Sequence, residues 1–308
     1  MKGNSGIYIT MKSRFGFNFF DVFTVLFCIG FGFICFYPMW YVFIGSIMDY
    51  KDFVKVTFPF FPPLNPTFKY YEGILAGEVF QKSMLLSISK TLFTSVTTII
   101  LTAMMAYAVT KTRIKGMKTI NFLMIFTLLF SGGLIPSYLL IRNLHMYDTF
   151  WALTIPWLLS PTTFAYFRSY FATQGSADLE EAAKIDGAND VFIFFKIIFP
   201  ISVPVFAALF LFEAVSSWND WYSYLIYCED VKLQPVVWLL RRMLIDPTLA
   251  KQSTDAGKVM ALSGRLGYLP PAALKMTTII LSMLPIIIVY PLLQRYFVKG
   301  IMLGAIKG

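Results

Sequence analysis

Long apolar runs broken by short polar and basic segments set the pattern of this 308-residue chain. A helix needs about 20 mostly apolar residues to cross the ~30 Å hydrocarbon core of a bilayer. Six runs meet that length: residues 19–44, 83–109, 120–141, 150–171, 201–227 and 271–298. Hydrocarbon offers the backbone no hydrogen-bond partners, so a spanning segment must be a helix or part of a closed barrel. The strict alternation of a barrel strand is absent. The pattern therefore predicts an all-α integral membrane protein with six transmembrane helices. Residues 1–18 form an N-terminal segment, 19–44 a first span and 45–82 an outer loop. A five-span core covers 83–298, with a long inner loop at 173–200 and an outer loop at 228–270. Residues 299–308 form a tail. The first run is longer than the ~7–15-residue core of a signal peptide and is expected to stay as a span.

Composition agrees with the pattern. Hydrophobic residues make up 57% of the chain, aromatics 18% and charged residues only 14%, against about 25% charged in soluble domains. Mean hydropathy is +0.66. The net charge of +9 does not point to nucleic acid, because the basic residues sit between apolar runs and not along one face. Membrane lipid with anionic headgroups is the partner that fits.

The distribution of Lys and Arg orients the chain. With the N-terminus inside, the inner segments hold Lys2, Lys12, Arg14, Lys111, Arg113, Lys115, Lys118, Lys184, Lys196, Lys299 and Lys307. The outer loop between the third and fourth runs holds Arg142 alone. The outer loop at 228–270 is the exception, with Lys232, Arg241, Arg242, Lys251, Lys258 and Arg265 against Glu229, Asp230, Asp246 and Asp255. The balance favours both termini in the cytoplasm of a multi-pass cell-membrane protein.

Within the runs, Lys90 stands out. It lies eight residues beyond Lys82, about 12 Å along a helix, and either snorkels outward or faces the bundle interior. Pro38, Pro156, Pro161, Pro204, Pro285 and Pro291 fall inside runs and are expected to kink helices, since neighbouring helices can repair the lost backbone bonds. Cys28, Cys35 and Cys228 lack metal-ligand spacing and read as small apolar side chains. His145, the sole histidine, lies in a short outer loop and reads as a surface residue. No nucleophile–base arrangement, metal site or cofactor motif is recognisable, so no enzyme chemistry is expected and no cofactor is required.

The segment 176–204 carries the most information. It reads SADLEEAAKIDGANDVFIFFKIIFPISVP: a helix, a tight turn and a second helix. Asp178 followed by Glu181 makes a capping box, and Glu180 and Glu181 lie where a helix dipole favours negative charge. Ala182 and Ala183 are strong helix formers with little bulk. Gly187 suits the left-handed residue that ends a helix, and Asn189 can cap the next one. A short acidic helix held rigidly between two spans suits a grip by another protein; an ordinary solvated connector is the alternative.

At this point the chain resembles a known family. Glu181, Ala182, Ala183, Asp186, Gly187 and Ala188, followed by Phe194, Ile197, Pro200 and Pro204, match the EAA loop of the MalG-like permeases of ABC importers. FSGGLIPSYLL (130–140), SSWNDWY (216–222) and VYPLLQRYFVKGIMLGAIKG (289–308) look like the LplC/YtcP subgroup, which handles complex or acidic oligosaccharides such as aldouronates. The resemblance covers nearly the whole chain. It implies the type I importer permease fold and a bacterial inner or plasma membrane location. It also implies an assembly with a second permease subunit, two cytosolic ATPase subunits and an extracellular sugar-binding protein. The 178–190 loop would then be the coupling helix, with Glu180, Glu181, Ala182, Ala183, Asp186, Gly187 and Ala188 facing the ATPase. Glu180–Glu181 with Lys184 stand where relatives vary, and this departure touches no core motif position.

No phosphate-binding loop of the form GxxxxGK[ST] occurs; Asp255–Lys258 is the nearest stretch and lacks its first Gly and its Ser or Thr. ATP hydrolysis is therefore expected of partner subunits. For the substrate pathway, Trp218, Asn219, Asp220, Trp221, Tyr222 and Tyr224 combine aromatic faces with polar groups, as sugars require; an aromatic belt at the membrane surface is the alternative. The competing function is an ion-coupled secondary transporter, which would need more ionisable residues at midplane depth than the spans contain.

Overall fold

The computed structural model describes residues 19–111, 114–173, 177–245 and 269–305. Expectations for Lys2, Lys12, Arg14, Arg113, Asp246, Lys251, Asp255, Lys258, Arg265 and Lys307 lie outside the described residues, as do those for the side chains of Asp178 and Lys299. No strand occurs among the described residues. The helices are α1 (Phe19–Ile47), α2 (Tyr50–Phe53), α3 (Lys69–Leu75), α4 (Glu78–Val109), α5 (Met117–Leu129), α6 (Leu134–Asn143) and α7 (Pro161–Thr173). They continue with α8 (Ala177–Ile185), α9 (Asp190–Ile193), α10 (Phe199–Asn219), α11 (Tyr222–Tyr227), α12 (Val236–Ile245) and α13 (Pro271–Ala305).

Four runs form helices long and apolar enough to cross a membrane: Phe20–Ile47, Glu78–Val109, Asp190–Asn219 and Pro271–Pro291. The third and fourth runs are composite. Between α5 and α6 the chain leaves the helix at Phe130, and Gly133 sits at φ +86°, a conformation that costs glycine little. The run at 150–171 starts with two tight turns, Phe150–Leu153 and Ile155–Trp157, before Pro161 opens α7. Pro156 and Pro161 thus break this run where kinks were expected. Proline has no N–H to give a preceding turn, and its fixed φ suits the start of a helix. Pro38, Pro204, Pro285 and Pro291 do lie inside helices.

Helix α4 is the axis of the bundle and packs on α5, α7, α10 and α12. Its buried face is a ladder of small and hydroxyl residues, including Ser83, Ser87, Thr91, Thr94, Thr98, Thr102 and Ala106. Steps of three and four keep them on one face, and their small size lets neighbouring backbones come close. The Ser87 hydroxyl accepts the Val236 N–H at 2.8 Å, and the Thr98 hydroxyl donates to the Trp157 carbonyl at 2.8 Å.

Two apolar cores lie at opposite ends of α4, whose 32 residues span about 48 Å at 1.5 Å per residue. One gathers Tyr107, Phe167, Phe171, Ile193, Phe194 and Phe206 beside α8 and α9. The other gathers Tyr70, Ile74, Phe80, Trp218, Val236 and Leu274. Helix α13 packs on α1, α3, α10 and α12. It crosses α1 so tightly that a Cβ at Gly45 would stand 2.1 Å from the Met276 sulfur. The entry to the fifth run holds one wide turn, Phe194–Ile198, in which the Phe199 amide donates five residues back to the Phe194 carbonyl. Such single wide turns recur at functional positions in helices.

Candidate functional site

The predicted helix–turn–helix is present. Helix α8 begins at Ala177, so Asp178 lies inside the first turn and not ahead of it. The expected capping box, with Asp178 as cap, is corrected accordingly. The end of α8 is as anticipated: Gly187 has φ +84°. The Ala188 amide bonds to the Ala183 carbonyl at 2.9 Å and the Gly187 amide to the Lys184 carbonyl at 3.0 Å. This pair of bonds is a Schellman closure, which requires a left-handed residue. Asn189 then caps α9, its side-chain oxygen accepting the Phe192 N–H at 2.8 Å. Lys184 Nζ lies 3.7 Å from Asp190 Oδ1 across the turn.

The hairpin has two faces, and the seven residues assigned to coupling divide between them. Glu181, Ala182, Asp186 and Gly187 are exposed. Around them lie the exposed apolar side chains of Leu179, Ile185, Val191 and Phe192. Val191 and Phe192 open the long apolar helix Asp190–Asn219, whereas Leu179 and Ile185 stand on the short acidic helix, where exposed apolar side chains suit a protein contact. Ala183 is buried, and Ala188 packs against the Tyr107–Phe194 core. Glu180 also turns inward and is only 6% exposed. Its carboxylate pairs with the Lys111 ammonium just beyond α4, and that ammonium lies 4.1 Å over the Tyr107 ring. A buried carboxylate is stable only when paired in this way. Glu180 thus fastens the hairpin to α4.

Of the two placements open to Lys90, the interior is the one observed. Lys90 is 1% exposed and its Nζ lies 2.6 Å from Asp220 Oδ2, 3.2 Å from the Asp220 carbonyl and 3.5 Å from the Ser217 carbonyl. Asp220 occupies the break between α10 and α11, with extended backbone (φ −75°, ψ 95°). Its other carboxylate oxygen accepts the Ser223 N–H at 3.0 Å, in the first turn of α11. One ammonium therefore satisfies the orphan carbonyls ending α10, and one carboxylate closes the start of α11. Removing one member of such a buried pair costs about 3–5 kcal/mol, because it strands the other charge.

The remaining pathway candidates separate. Trp218 is buried in the apolar core with Tyr70 and Leu274. Asn219 is exposed, and its amide donates back to the Val215 carbonyl at 2.9 Å. Trp221 carries the Arg241 guanidinium 3.5 Å above its ring and stacks on Trp238. Tyr222 is exposed, and Tyr224 is buried beside Trp238. Beside this region an open pocket of about 360 Å³ is lined by Lys82, Leu85, Leu86, Ser89, Phe150 and Lys232.

Two features escaped the sequence reading. Glu213, an ionisable residue within the fifth run, accepts a hydrogen bond from the Thr163 hydroxyl of α7; its charge in an apolar run was the available signal. Asp148, at φ +59°, buckles two inter-helix segments together. One of its oxygens accepts the Glu229 and Asp230 amides at 2.9 and 2.8 Å. Next to it the Tyr147 hydroxyl donates to Glu229 at 2.9 Å. That bond to an anion, helped by burial, pushes the tyrosine up to about 12. His145 is exposed at φ +55°.

A family model for the inner membrane component of binding-protein-dependent transport systems matches residues 114–303. The chain belongs to that family. As a permease of this class it has near full-length relatives in Bacillus subtilis (strain 168). Protein LplC is 34% identical over 300 residues, covering 97% of this chain and 98% of the relative. The polygalacturonan/rhamnogalacturonan transport system permease protein YtcP is 33% identical, covering 97% of this chain and all of the relative. Among solved structures, a bacterial ABC transporter involved in the import of the acidic polysaccharide alginate aligns with TM-score 0.79 at 28% identity. The match covers 90% of the permease and 96% of that chain. The permease thus has the fold of an ABC importer subunit, and the binding-protein-dependent class prevails over the ion-coupled alternative.

Proposed function

We propose that this permease forms half of the pathway of an ATP-driven importer of acidic, uronate-containing oligosaccharides in the bacterial cell membrane. It works with a second permease, two cytosolic ATPase subunits and an extracellular sugar-binding protein. In this reading the spans number six and both termini are cytoplasmic. The α8–α9 hairpin docks in the ATPase through Glu181, Ala182, Ile185, Asp186 and Gly187. The observation that carries the reading is the two-faced hairpin, which is anchored inward by Glu180 and Ala183 and offers an apolar patch outward. A docked hairpin makes closure of the ATPase pair and reopening of the permease cavity one coupled equilibrium.

The acidic substrate is supported by the relatives that handle polygalacturonan and alginate. It is also supported by the pocket, whose lining combines Lys232 and Lys82, the latter paired with Glu78, with the apolar Leu85, Leu86 and Phe150. Sugars present apolar C–H faces, and uronates add a carboxylate for an ammonium to meet. Uptake by the complex reconstituted in proteoliposomes tests the reading. Oligogalacturonate or oligoalginate should enter with ATP and binding protein present, and should be indifferent to a collapsed proton gradient. Uptake that follows the proton gradient and ignores ATP overturns it.

A further inference from the structure

Helix α4 carries one cationic clamp along its length, at Lys90, and a second just past its C-terminal end. Lys111, one residue past its C-cap Thr110, holds Glu180 of the hairpin. Lys90 holds Asp220 at the break in the fifth run. The two lysines are 21 positions apart, about 31 Å of helix. Both pairs lie away from water, with side-chain exposures of 2% and 18% at Lys90–Asp220 and 16% and 8% at Lys111–Glu180. Screening by salt is weak there, and parting either pair strands a charge. The helix between them has no proline to bend it.

The seam beside Lys90 also has spare hydrogen-bonding capacity. The hydroxyls of Thr91, Thr94 and Ser95 on α4 and of Ser217 on α10 are buried and unpartnered. Each such group costs free energy in this conformation.

We propose that α4 is the push-rod of the permease. Movement of the hairpin is passed through Glu180–Lys111 to α4, and through Lys90–Asp220 to the α10–α11 break, about 30 Å away. Lys90, Lys111, Glu180 and Asp220 are positioning residues and touch neither nucleotide nor sugar in this role. The inference rests on the reading that the hairpin faces the ATPase.

The test uses the assembled transporter with its binding protein in proteoliposomes. Cys28, Cys35 and Cys228 are replaced, and a reporter thiol is introduced by Gln81→Cys on α4 or, in a separate protein, by Leu225→Cys on α11, both exposed. Its labelling rate by an impermeant maleimide is compared without nucleotide and after trapping with ATP and vanadate. The rates should differ in the parent. Lys111→Met should bring the ratio to unity at both reporters while ATP hydrolysis persists, whereas Lys90→Met, which cuts the chain beyond α4, should leave the α4 reporter responsive and silence only the α11 reporter. The reversed pairs, Lys111→Glu with Glu180→Lys and Lys90→Asp with Asp220→Lys, should each regain the response that the matching single variant loses. A merely structural role moves assembly and melting temperature but not this ratio. The push-rod is overturned if an assembled Lys111→Met keeps the parental ratio at the α4 reporter, if an assembled Lys90→Met keeps it at the α11 reporter, or if neither reversed pair regains it. Failure of the ATPase to co-purify with the parent overturns the docking reading instead, so the two outcomes are distinct.

Discussion

The Ala188 amide reaches back to the Ala183 carbonyl at 2.9 Å, and this one bond sets the angle between α8 and α9. It exists because Gly187 holds φ +84°. A Cβ at Gly187 would meet nothing within 4 Å, so the constraint is backbone conformation and not space. Gly187→Val should cost about 1–2 kcal/mol of local strain and open the hairpin. The expected result is normal membrane insertion with sharply reduced ATP-dependent uptake. Full uptake would argue against the hairpin's coupling role.

Glu181 is exposed on the same face as Ile185 and Asp186. Glu181→Lys reverses a charge there without disturbing a buried group, so the isolated permease should keep its stability within about 0.5 kcal/mol. Retention of the ATPase during co-purification should fall. Equal ATPase recovery from both forms would place the contact elsewhere.

Asn189 supplies the side-chain cap of α9. Asn189→Ala should destabilise the hairpin by about 1 kcal/mol, and Asn189→Gly by only a few tenths. Hydrogen exchange at the Phe192 amide reads this directly and should accelerate in the alanine variant.

Asp148→Ala removes the acceptor shared by the Glu229 and Asp230 amides. The residue is exposed, so the loss should be near ~1.5 kcal/mol, the low end for bonds to a charged acceptor. Thermal unfolding in detergent should show it, with proteolysis appearing first near residue 229.

Asp49 lies outside the long apolar helices. The Lys69 ammonium at 2.5 Å and the Lys51 amide hold its carboxyl below the ordinary 3.8. A lowered folded-state value means that its contribution is complete above pH 3.8 and is lost as the pH falls through the folded value. The stability gap between Asp49→Asn and the parent should therefore be constant near neutrality and shrink in stronger acid. A gap that widened on acidification would contradict the pairing.

The elements were legible where the chemistry is local. Gly187, Asn189 and the apolar run 83–109 each state their structure within a few residues. The breaks at Gly133 and Pro161 were harder, because in an apolar run a glycine or proline reads equally as a tolerated kink. The partners of Lys90 and Glu180 were not readable at all. Asp220 and Lys111 lie 130 and 69 positions away, and only the packing of α4 on α10 and α7 brings such groups together. That is also why Glu180 resembled a surface acid: the adjacent Glu181 shares its charge but is exposed, about 100° away around the helix.

The wide turn at Phe194–Ile198 has a bearing on any helical wheel drawn for the fifth span. One surplus residue rotates everything beyond it by about 100° relative to an unbroken 3.6-residue repeat. Angular positions assigned to Glu213 and Trp218 by counting from α9 will therefore point at the wrong neighbours. The wheel has to be restarted at Phe199, and substitutions chosen to line the pore must be counted from there.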